Sequence, residues 1–267
     1  MSGASRIFPR EHGTWAMLLV PWIVAVGVSR RFEPAPVLVL MVALALFLAH
    51  NQLVLALRAV ARRDRAAQRA AARVGTAFAA AGLLIGLAVV ARVGAAVLVP
   101  SAVAAAALLA ATVWLVRRRL DQTLAGQITA AVGLPVIAPV TWTVTTGALD
   151  RVAAALWLLN ATFFVGAVLY VRLKIAARGR RAALVTRRDR LAFAAPTVAI
   201  DVGLLALAAL AVVIGGFSAS VLAAFSTVAV QTAAGIARLD RPAVLKRVGL
   251  LATAHALAFA ALVVCLA

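Results

Sequence analysis

The sequence predicts an all-α fold, a polytopic membrane bundle of nine transmembrane helices forming a single integral membrane domain over residues 1–267. Three observations carry this. Hydrophobic residues make up 65% of the chain and charged residues 13%, with a mean hydropathy of +1.06, too little polar surface for a soluble domain of this length. The apolar residues gather into runs near the ~20 residues that a bilayer core requires. Basic residues stand between those runs in alternation.

Taken in order, the spans are 14–29, 37–57, 74–91, 95–116, 124–146, 152–171, 191–214, 219–237 and 248–266. The first follows Arg6 and Arg10 and could be read as a signal peptide. Glu11 and His12 in its basic region, Pro21 within it, and Arg30-Arg31 at the would-be cleavage site argue for a retained span. After the second span, Arg58, Arg62, Arg65, Arg69 and Arg73 recur at helical spacing, so that span is expected to continue as a helix with one cationic stripe. Arg92-Val93-Gly94 is the tightest connection, and the apolar length on its two sides is too great for one crossing. Pro135 and Pro139 in the fifth span either line a cavity with freed carbonyls or kink the helix. The sixth span runs into 172–190, the richest basic segment. Leu55–Arg58 and Leu169–Arg172 share an offset with Pro21 and Pro135, as two four-helix units plus a ninth helix would produce.

The arginines also orient the bundle. Of 27 Lys and Arg residues, all but Arg30, Arg31, Arg92 and Arg151 fall in connections on one side, which predicts an inner N-terminus and an outer C-terminus. The net charge of +19 then reflects contact with anionic phospholipid headgroups, and no nucleic-acid partner is expected. A lone cysteine, Cys265, excludes an intramolecular disulfide and a cysteine-built metal site.

Polar residues inside the spans form a layer. At ~1.5 Å per residue, His50 and Asn51 lie about 11–12 Å below Arg58, Gln127 about 12 Å below Arg119, Gln231 about 10 Å below Arg238 and His255 about 12 Å below Arg247. Asp201 lies about 16 Å from Arg190 and Asn160 about 18 Å from Arg172, near the midplane of a ~30 Å core. Groups so placed face a shared interior or a water-filled cavity, predicted to open toward the cytoplasm. Asn160, Gln127 and Gln231 also suit simple hydrogen bonding between helices, and His255 suits a satisfied interior histidine in the terminal helix. Asp201 is the strongest single candidate, because a carboxyl at mid-membrane is costly and functional by default.

The opening stretch Pro9–Trp15 places Arg10, Glu11, His12 and Trp15 at the doorway of the first span. Glu11 suits the helix dipole and Trp15 an interfacial anchor; alternatively, Glu11 and His12 sit at the cavity mouth and exchange protons or meet a polar headgroup. Phosphate-loop, zinc-cluster, nucleophile-elbow and haem-attachment motifs are absent from the sequence, and no cofactor is expected.

Pro9-Arg10-Glu11-His12-Gly13-Thr14-Trp15-Ala16-Met17-Leu18-Leu19 followed by Pro21 resembles the start of YwiC-like membrane proteins, and Arg241–Gly249 is similar to their ending. The resemblance follows span order over nearly the whole chain and implies a bacterial integral membrane protein without an assigned activity. The layout also resembles the UbiA prenyltransferase superfamily, with nine helices, an inner N-terminus and functional inner connections after spans two and six. That superfamily holds Mg²⁺ and a prenyl diphosphate with Asn-Asp-x-x-Asp-type motifs. Here Asn51-Gln52-Leu53-Val54-Leu55 matches only at Asn51, and the second region, from Asn160 to Lys174, has no carboxylate. One asparagine does not hold two Mg²⁺ ions and a diphosphate, so metal-dependent prenyl transfer is not expected.

These readings converge on a UbiA-like protein of the bacterial inner membrane whose cavity binds a lipid or isoprenoid with an anionic head. Arg58, Arg172 and Lys174 are expected to meet the head, His50, Asn51 and Asn160 to line the cavity, and Glu11, His12 and Trp15 to stand at its mouth. The alternatives are a proton-coupled transporter using Asp201 and a non-catalytic membrane assembly subunit. Metal-free acid–base chemistry by Glu11 and His12 also remains open, with no substrate implied.

Overall fold

The computed structural model describes residues 12–242 and 245–267. Among the described residues all regular structure is helical: α1 (His12–Ser29), α2 (Pro34–Ala61), α3 (Arg65–Val93), α4 (Ala95–Arg117), α5 (Leu124–Gly133), α6 (Ile137–Thr146), α7 (Arg151–Ala177), α8 (Arg187–Gly215), α9 (Ser226–Ala237) and α10 (Leu245–Leu266). A 3₁₀ turn, Leu134–Val136, joins α5 to α6, and another, Ala219–Phe225, leads into α9. Counting each joined pair once, the elements fall on the nine expected spans. Eight are long and apolar enough to cross a membrane, and Gly13–Ser29 is a shorter apolar helix. The protein is a polytopic helical membrane bundle.

Several helices outrun the bilayer. At ~1.5 Å per residue the 28 residues of α2 and the 29 of α3 and of α8 reach past a ~30 Å core. Their basic ends therefore project beyond the apolar layer, and we call that side of the bundle the arginine-rich end.

The cationic stripe expected along a prolonged second span is interrupted. Helix α2 stops at Ala61, Arg63 adopts the left-handed region (φ 57°), and Asp64 caps α3 by accepting from the Ala67 amide at 2.9 Å. Arg58 thus ends α2, while Arg65, Arg69 and Arg73 ride on α3, which folds back along α2. Asp189 serves a similar purpose. It closes a capping box with Thr186 at the start of α8, where four backbone N–H groups need acceptors. Asp64→Ala is expected to cost about 1 kcal/mol, read as a lower unfolding midpoint in detergent; an unchanged midpoint would mean that water caps α3 equally well.

Proline breaks the fifth span. Pro135 lacks an N–H and tightens the chain into the 3₁₀ turn, and the Val132 carbonyl beside the break accepts from Trp157 Nε1 on α7 at 2.9 Å. At the α3–α4 corner a single residue, Gly94, makes the reversal at φ 90°, a conformation open to glycine.

The core is built around α7. Of its apolar window 78% is buried, against none of the window on α4. Leu156, Leu159 and Phe163 of α7 pack with Val20 and Val24 of α1, Val212 of α8, Val221 of the second 3₁₀ turn, and Phe259 and Val263 of α10. A second cluster joins α1 to α2 and α6 through Leu18, Val39, Phe47, Ile137 and Val144. A third, at the arginine-rich end, ties α7 to α8 and α9 through Leu173, Ala177, Ala194 and Ile236.

Candidate functional site

Helices α7, α8 and α9 do not close on one another along their whole length. Between them lies a cleft of about 620 Å³, within the size range of small-molecule sites. Its walls are mainly apolar, among them Leu191, Val198, Leu205, Phe225, Val228 and Ile236. Arg187 and Arg190, in the first turn of α8, line one end, and Asp201, Thr162 and Thr232 supply polar atoms deeper in.

Asp201 occupies the meeting point of the three helices. Its Oδ2 accepts from Thr232 Oγ1 of α9 at 3.3 Å. Its Oδ1 faces Gly166 of α7, where a methyl group would come within 3.5 Å of it. That oxygen is buried and makes no hydrogen bond among the described residues. Thr162 Oγ1 donates within α7 to the Leu158 and Leu159 carbonyls, at 2.8 and 3.0 Å. At the basic end, Arg190 Nη1 lies 3.3 Å from the Val185 carbonyl and 3.5 Å from Asp240 Oδ1, while Arg187 is exposed.

The other sequence candidates occupy different places. Glu11 and the His12 side chain lie outside the described residues. Trp15 is half-buried and packs edge-on against Phe47 of α2, with ring centroids 5.2 Å apart. His50 and Asn51 are half-buried on α2. Asn160 is fully buried within α7; its Nδ2 donates to the Leu156 carbonyl at 2.8 Å, and its Oδ1 makes no hydrogen bond among the described residues.

Arg58 and Arg172, the two residues related by the common offset, converge on one connection. Arg58 pairs with Asp121, and Arg172 donates to the Gln122 carbonyl and to Gln127 Oε1, both at 2.9 Å. Lys174 is buried and donates to the Gly235 and Arg238 carbonyls at the end of α9, at 3.1 and 3.0 Å. Among the candidates whose side chains are described, Asp201 alone is one of the cleft's lining residues.

Arg187 and Arg190 received no individual role in the sequence reading, although the signal was there. At ~100° per residue, Arg187, Arg190, Val198, Asp201 and Leu205 fall on one face of α8. The contributions of Thr162 and Thr232 have no comparable signal, since they depend on where α7 and α9 lie.

The family model described as YwiC-like protein matches residues 8–142, just over half of the chain and N-terminal to the cleft. No curated protein and no solved structure matches the chain. With nine apolar helical segments that carry the matched region onward without a change of architecture, the chain belongs to the YwiC-like protein family.

Proposed function

We propose that this protein binds a membrane amphiphile, a lipid or isoprenoid with an anionic head, in the cleft between α7, α8 and α9. The observation that carries the reading is an apolar cleft with two arginines at one end. The head would meet Arg187 and Arg190, competing with Asp240 for the second, and the tail would lie along the apolar walls. Arg58, Arg172 and Lys174 are not among the cleft's lining residues, which favours the α8 arginines as direct contacts. The arginine-rich end would face the cytoplasm of a bacterial inner membrane, with the N-terminus inside, following the distribution of basic residues. A UbiA-like ligand position accords with this in part, because the basic segment after the sixth span leads into α8.

Purification in mild detergent followed by mass spectrometry of co-extracted lipids tests the proposal. The expected result is an anionic amphiphile enriched over the bulk membrane, reduced at least about tenfold when Arg187 and Arg190 are both changed to Gln. Absence of enrichment, or the same enrichment in the double variant, would overturn it. The unpartnered Oδ1 favours a second reading, a proton-coupled carrier in which Asp201 is the exchanging group. Proton-driven solute flux in proteoliposomes, abolished by Asp201→Asn, would establish that reading instead.

A further inference from the structure

We propose that Asp201 is a second recognition point in the cleft, reading a hydroxyl group on the ligand's apolar portion about 16 Å from its anionic head, the rise along α8 from Arg190. This rests on the amphiphile reading above and specifies the class of amphiphile. Oδ1 is already buried without a partner among the described residues, at a cost that a plain hydrocarbon tail leaves in place. A ligand with a hydrogen-bond donor at that depth removes the cost.

The neighbouring groups select the kind of donor. Thr232 spends its proton on Asp201 Oδ2, and Thr162 spends its own on carbonyls of α7. The wall at this depth therefore presents acceptors: Oδ1 together with the remaining lone pairs of two hydroxyls. A ketone or ester brings only another acceptor. An ammonium group brings a full charge among Leu204, Leu205, Phe225 and Val228, at a large desolvation penalty. A hydroxyl donates to Oδ1 and stays neutral. Gly166 bounds this oxygen on the α7 side, where a methyl group would stand 3.5 Å from both Oδ1 and Val228 Cγ1.

Three probes that differ at one carbon test this on the full-length protein in detergent: stearate, its twelve-position hydroxyl analogue, and the corresponding ketone. The hydroxylated probe is expected to bind the wild type about tenfold more tightly than stearate, and the ketone no more tightly than stearate. Asp201→Leu should abolish the preference while still binding stearate, and Asp201→Asn, which keeps an acceptor oxygen, should retain part of it. Equal affinity for stearate and the hydroxylated probe in the wild type would overturn the inference, as would a preference that survives Asp201→Leu or is shared by the ketone. Those failures are separable from failure of the underlying reading. If stearate binding falls when Arg187 and Arg190 are both changed to Gln but the hydroxyl confers nothing, only the role of Asp201 is lost. Should no probe respond to that double change, the anionic-head reading falls with it.

Discussion

Replacing Lys174 by Met is expected to destabilise the bundle by about 2 kcal/mol, the order of a lost charge-assisted hydrogen bond. Lys174 is buried on α7, and its ammonium bridges the Gly235 and Arg238 carbonyls. Those lie at the C-terminal end of α9, where they also accept turn bonds from the Arg238 and Arg241 amides at 3.1 and 3.4 Å and where the helix dipole favours a cation. Gly235 makes the approach possible: a side chain there would collide with the ring of Tyr170, one turn before Lys174. Methionine keeps the length and the apolar stem but removes every donor, so two carbonyls lose the ammonium and keep only their turn amides while packing is nearly conserved. Equilibrium unfolding in detergent should show a lower midpoint, and hydrogen exchange should rise at residues 235–239. Lys174→Arg should recover part of the loss. An unchanged midpoint with unchanged exchange would mean that water serves these carbonyls equally well.

Phe163→Ala is expected to cost about 3 kcal/mol, the low end for truncating a buried aromatic. Phe163 of α7 stacks on Phe259 of α10 with centroids 4.1 Å apart and an interplanar angle of 21°. Phe164 stands edge-on to Phe163, and Phe225 edge-on to Phe259, so four rings join α7, α10 and the turn before α9. Both stacked rings are fully buried. The low end applies because a bilayer offers the separated helices an apolar solvent, which leaves close packing rather than escape from water as the main term at stake. Thermal unfolding in detergent checks the prediction, with Phe163→Leu expected to fall between the variant and the wild type. If Phe163→Ala unfolds with the wild type, the ring cluster is not what holds α10 to α7.

Much of the architecture was legible in the chain. Apolar runs near twenty residues, each bounded by charge, are the physical requirement for crossing a bilayer, and nine helical segments fall where those runs predict. Pro135 marks the break in the fifth span, and Gly94 marks the tightest corner. Asp64 and Asp189 sit among arginines in the sequence, and both cap helices. Their role depends on where the backbone begins a new helix, and a list of neighbouring charges does not contain that position.

The candidate site was legible in one residue and one helix face. Asp201 stood out as a mid-span carboxyl, and the arginines that share its face follow from helical periodicity. Arg172 and Lys174 illustrate the limit. Two residues apart on α7, one grips the 122–127 segment and the other the end of α9. Their sequence context is the same basic segment, and only the positions of other helices distinguish them.

By itself the sequence determined the number of helical spans, their approximate limits and the end of the bundle at which the arginines collect. The tertiary structure alone decided which span lies at the centre and which helices leave a cleft between them. The reason is physical. In a soluble protein, water sorts helix faces by polarity, so burial is written in the sequence. In a bilayer, lipid tails and the protein interior are equally apolar. Helices α4 and α7 therefore have the same mean hydropathy, 2.0, although none of the first window and 78% of the second is buried. Close packing between particular side chains makes that choice, and it also leaves open the cleft beside Asp201.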